Sequence, residues 1–99
     1  MDFQIQSTAA GLRVMLQGRL TFAENGRFRQ LLARLEDQAA ARVVLDLAGV
    51  EFIDSAGLGM LLYPRDSMRR HNGAVSLDAA AGQVARMLDL ARMRDLFGA

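Results

Sequence analysis

The sequence predicts an α/β domain built on a mixed β-sheet of about four to five strands, with helices packed mainly on one face and the order ββαβαβαα. Two observations carry this expectation. Period-two alternation of apolar and polar residues opens the chain, and segments with helical spacing then alternate with short apolar strands. Strands separated by helices favour parallel pairing, whereas an opening hairpin is antiparallel, so both kinds of pairing meet in one sheet. With 99 residues and 52% hydrophobic content, residues 1–99 make one domain with one core.

Phe3 and Ile5 alternate with Asp2, Gln4 and Gln6, and Leu12, Val14 and Leu16 alternate with Arg13, Met15 and Gln17. This is the pattern of two half-buried strands, with a turn expected at Ala10-Gly11. Thr21 and Glu24 have the spacing of a capping box, and Phe28, Leu31, Leu32 and Leu35 mark the inner stripe of a first helix. Asn25 and Gly26 weaken its first turns, because glycine costs about 1 kcal/mol relative to alanine inside a helix.

Val43-Val44-Leu45-Asp46-Leu47 has the composition of a central strand covered on both faces by helices. A second helix is expected from Ser55 to His71, the sole histidine, which marks its end. Pro64 falls deep inside it. The missing N–H and the push against the Met60 carbonyl cost about 3 kcal/mol or more, and predict a kink or a stop at Tyr63 with a restart near Arg65. Ala74 to Leu77 reads as the last strand, Val84, Met87, Leu88 and Ala91 as a third helix, and Met93, Leu96 and Phe97 as a final short turn. Met60, Met68, Met87 and Met93 are core filler. Arg65, Arg69 and Arg70 form either a solvated face or a surface for an acidic partner.

Lysine and arginine total 12 against 11 aspartates and glutamates, a formal net charge of +1. No strong field draws this chain to nucleic acid or anionic lipid. The absence of cysteine excludes disulfides and thiolate metal sites and suits a reducing compartment. No segment approaches the roughly 20 apolar residues needed to span a bilayer, and the start lacks the pattern of a signal peptide. A cytoplasmic protein is expected, with no nucleic-acid partner and no direct membrane insertion.

Catalysis has no support. A serine hydrolase needs a base near its nucleophile, yet His71 has no evident orienting acid, and Phe52 to Gly57 lacks the first glycine of the G-x-S-x-G elbow. Gly57 to Leu62 lacks the last glycine of G-x-G-x-x-G, and no G-K-[S/T] phosphate loop occurs. No catalytic residue, metal site or cofactor is expected.

The most informative stretch is Val50-Glu51-Phe52-Ile53-Asp54-Ser55-Ala56-Gly57-Leu58-Gly59-Met60-Leu61-Leu62, where a short apolar strand meets a serine and then a glycine-containing helix. A hydroxyl at a helix mouth has two uses. It can cap the helix, or it can receive a phosphate, which free N–H groups and the helix dipole favour. Gly57 and Gly59 serve either close helix packing or close approach of a partner backbone. Asp54 either is a turn residue, orients the hydroxyl, or helps hold a metal during transfer.

The Asp54-Ser55-Ala56-Gly57-Leu58-Gly59 segment in this strand-to-helix setting resembles the STAS domain of bacterial anti-sigma factor antagonists. Gly18-Arg19-Leu20 resembles that family's glycine-x-leucine step, and Gly73 its helix-to-strand turn. The resemblance covers nearly the whole chain and implies a STAS-like single domain. It implies that Ser55 is phosphorylated by a partner that is both anti-sigma factor and serine kinase. It also implies that Asp54, Ser55, Ala56, Gly57, Leu58 and Gly59 meet that partner, and that a PP2C-type phosphatase resets the switch.

Two residues depart from the family pattern. Ala56 replaces its second hydroxyl, and Thr21 its common acidic residue. The alternative is a phosphorylation-independent STAS subunit of a membrane transporter, such as a lipid-transport ATPase. A homodimer through an exposed edge strand is a further expectation.

Overall fold

A computed structural model describes residues 1–38 and 40–97. Its strands are β1 (Asp2–Thr8), β2 (Gly11–Leu20), β3 (Arg42–Ile53) and β4 (Ala74–Asp78), and its helices α1 (Asn25–Gln38), α2 (Ser55–Arg70) and α3 (Gly82–Leu90). The sheet order is β1-β2-β3-β4, antiparallel between β1 and β2 and parallel thereafter. The mixed sheet is therefore as expected. Four strands suffice because Val43–Leu47 and Val50–Ile53 belong to one long strand, β3, bent by two register irregularities against β2.

Pairing explains how one face becomes the core. Phe3 faces Leu16, Val14 faces Leu45, and Leu45 faces Leu77, so alternate residues of all strands stack on the same side. Phe28, Leu31 and Leu35 of α1, Leu58, Met60 and Leu61 of α2, and Val84 and Leu88 of α3 complete that single cluster. Burying aliphatic side chains of this size stabilises the fold by about 1.5–3 kcal/mol each. The methionine expectation holds: Met60, Met68 and Met93 are buried, and Met87 packs against the core.

The expectation that β3 is covered on both faces is corrected. Its residues alternate buried and accessible, and the opposite face carries polar neighbours. There Arg13 of β2 holds Asp46 of β3 and Asp78 of β4 through hydrogen bonds of 2.8 Å to each. The helices lie on one side only.

Smaller differences have local causes. The hairpin turns at Ala9-Ala10, since Thr8 already pairs with Gly11, the first residue of β2. Thr21 makes no side-chain cap, and Phe22–Glu24 wind as a 3-10 turn before α1. The capping box fails because the Glu24 carboxylate accepts instead from the Met1 ammonium at 2.8 Å. Helix α2 neither stops nor restarts at Pro64. The ring is buried, and the surrounding packing carries the helix past the N–H that Pro64 cannot offer to the Met60 carbonyl as far as Arg70. His71 does end it, as the C-cap residue.

Candidate functional site

The junction between β3 and α2 is fixed from several directions. Asp54, in an extended conformation, is the N-cap of α2, and its carboxylate accepts the Gly57 N–H at 2.7 Å. The Asp54 N–H in turn donates to the Leu20 carbonyl at 3.3 Å. Leu20 is itself fully buried and pairs with Ile53, so the end of β2 braces the end of β3. Gly18, at φ +96°, takes a conformation that favours glycine, beside the irregularity at which β3 carries the extra residue Glu51.

Ser55 is the first residue of α2 and is exposed. The capping function assigned by sequence to a hydroxyl here belongs to the Asp54 carboxylate, which leaves the Ser55 hydroxyl uncommitted to the helix end. Asp54 thus has a structural task, the N-cap, that the sequence reading does not assign to it. An Asx cap is worth roughly 1 kcal/mol.

The remaining motif residues divide by depth. Gly57 and Leu58 are buried, whereas Asp54, Ala56 and Gly59 are partly accessible. A Cβ on Gly57 would collide with the Leu20 carbonyl oxygen and the Ile53 side chain, so close packing explains this glycine. A Cβ on Gly59 would meet open space. Gly59 sits one helical turn from Ser55, on the same side of α2.

Several neighbours were not legible in the motif. Gln83 of α3 holds the backbone of Ile53 from both sides: its Oε1 accepts the Ile53 N–H at 3.0 Å and its Nε2 donates to the Ile53 carbonyl at 2.8 Å. The Arg19 guanidinium lies 4.6 Å from the centre of the Phe52 ring. Phe22, two residues past the end of β2, is 72% exposed.

The three arginines of α2 separate. Arg65 donates to the Leu96 carbonyl and contacts Asp66, while Arg69 and Arg70 are exposed in the last turn, where the helix dipole favours cations. Among the described residues, no helix is long and apolar enough to cross a membrane.

Fold and site together define a mixed-sheet α/β domain that presents an exposed serine hydroxyl at the mouth of a half-buried, aspartate-capped helix. The STAS domain family matches residues 2–98. A STAS-domain containing protein of Pseudomonas aeruginosa (strain UCBPP-PA14) is 33% identical over 86 residues, covering 87% of this chain and 84% of the relative. This chain belongs to the STAS domain family.

Solved structures share its fold. An anti-sigma factor antagonist from Mycobacterium paratuberculosis superposes with a TM-score of 0.85 at 19% identity, covering 97% of this chain and 81% of the other. A sulfate transporter family protein from Wolinella succinogenes gives 0.71 at 17% identity, covering 87% and 70%. Such distant likenesses establish architecture, and function has to be argued from the site.

Proposed function

We propose that this chain is an anti-sigma factor antagonist acting as a phosphorylation-switched binding module rather than an enzyme. Unphosphorylated, it binds an anti-sigma factor that is also a serine kinase. Phosphorylation of Ser55 releases that partner, and a PP2C-type phosphatase restores binding. The observation that carries this reading is the exposed Ser55 hydroxyl, placed at a helix mouth whose cap is supplied by Asp54.

Phosphate adds about −1.5 to −2 charges and strong acceptor oxygens. On the chain itself the α2 N-terminus favours an anion, typically by 0.3–1 kcal/mol at an exposed site, so the fold tolerates the modification. On a docked partner the same charge brings repulsion and desolvation. The accessible lip formed by Asp54, Ser55, Ala56 and Gly59 would meet the partner, while Gly57 and Leu58 support that lip from below.

Capture of partners from cell extract, with mass spectrometry of both the partner and the Ser55 modification, tests the reading. Ser55→Ala should bind constitutively and Ser55→Asp should lose the partner. Equal capture by both variants would instead assign a phosphorylation-independent scaffold, the transporter-subunit alternative.

A further inference from the structure

The pairing of β3 changes along its length. Its partner β4 ends where Asp78 faces Asp46, so among the described residues no strand pairs with the stretch from Leu47 to Ile53 on that side. At its last residue Gln83 takes the place of a strand. A primary amide carries one donor and one acceptor group in the same relation as a peptide, and Gln83 presents both to Ile53, at 2.8 and 3.0 Å.

This clamp is well anchored. Ile53 is fully buried, and the residues that fasten α3, Val84 and Leu88, are 1% and 0% exposed. The first turn of α3 has no side-chain cap of its own, so the amide clamp is a principal polar tie at that end of the helix. Ile53 is followed directly by Asp54, the cap of α2, and then by Ser55. Any play in Ile53 would therefore move the cap relative to the first turn of α2 and alter the field felt at the hydroxyl.

We propose that Gln83 is a positioning residue for Ser55: its side-chain amide stands in for a missing strand, holds Ile53, and thereby fixes the Ser55 oxygen at the mouth of α2. The functional sense of this rests on Ser55 being the switch residue. The geometric claim is tested without any partner.

The chain contains no cysteine, so Ser55→Cys introduces a unique thiol. At a helix N-terminus that thiol titrates below the ordinary value of about 8.5. The pH midpoint of its reaction with 5,5′-dithiobis(2-nitrobenzoic acid) reads the local field. Adding Gln83→Met, which keeps side-chain length and removes both hydrogen bonds, should raise that midpoint toward about 8.5. It should also speed exchange of the Ile53 amide roughly tenfold, in line with loss of a local hydrogen bond. Adding Val84→Ala instead loosens α3 while keeping the clamp, and should leave the midpoint in place. A midpoint unmoved by Gln83→Met, or moved equally by Val84→Ala, overturns the proposal. Failure of the switch reading shows separately, as equal partner capture by Ser55→Asp and Ser55→Ala.

Discussion

The Leu20 carbonyl oxygen occupies the place where a side chain on Gly57 would begin, and through it the end of β2 seats the first turn of α2. The same oxygen accepts the Asp54 N–H. Gly57→Ala should therefore force the helix away from the sheet. Overpacking of this kind costs about 1–3 kcal/mol. In a chain of this size that corresponds to a fall in thermal midpoint of at least about 4 °C. Calorimetry checks it, and an unchanged midpoint would show that the junction yields freely.

Gly59 presents the opposite case, because its surroundings leave room for a methyl group. Gly59→Ala should stabilise the chain by up to about 1 kcal/mol through helix propensity. Under the proposed switch, the added methyl stands on the docking lip and should weaken partner capture. Urea denaturation and affinity measured on one preparation should thus move in opposite directions; tighter binding would contradict the assignment of this face.

The division of labour between Asp54 and Ser55 can be read from stability alone. Asp54→Ala removes the cap on Gly57 and should cost roughly 1 kcal/mol, with Asp54→Asn retaining most of it. Ser55→Ala removes an exposed hydroxyl that caps nothing, so its denaturation midpoint should match the parent within a few tenths of a kcal/mol. Reversed magnitudes would return the cap to the serine.

On the polar face of the sheet, the Ala48 N–H above all holds the Asp46 carboxyl below the usual carboxylate range against the opposing effect of burial, and the Arg13 guanidinium adds to the lowering. A carboxyl with a lowered folded value stabilises fully above its unfolded value and loses that contribution as pH falls through the folded one. The loss should therefore fall below about pH 4. Asp46→Asn should be less stable than the parent at neutral pH and show a shallower decline on acidification. Parallel pH profiles for the two proteins would remove Asp46 from the acid response.

Where a structural cause is local and periodic, the sequence was informative. The alternation around Val14 and Leu16, the stripe of Phe28, Leu31 and Leu35, and the strand-to-helix setting of Ser55 all reappear in the fold. What escaped was set by residues distant in the chain. Glu24 is drawn from its capping box by the Met1 ammonium, Pro64 is carried by core packing, and Gly57 is explained by Leu20. Gln83 lies 30 positions from Ile53, and nothing in its neighbourhood announces a strand substitute. The long course of β3 was equally hidden, because Val43 to Leu47 and Val50 to Ile53 read as separate apolar stretches and are in fact one bent strand.

The brace on Asp54 has one more consequence. Leu20 and Gln83 reach the Ile53-to-Gly57 segment from two separate stretches of the polypeptide. A synthetic peptide copying Val50 to Leu62 keeps the letters and discards the shape. Any reader that distinguishes this serine by its surroundings must therefore encounter the chain already folded, and an antibody or enzyme trained on the linear epitope would be recognising a different object.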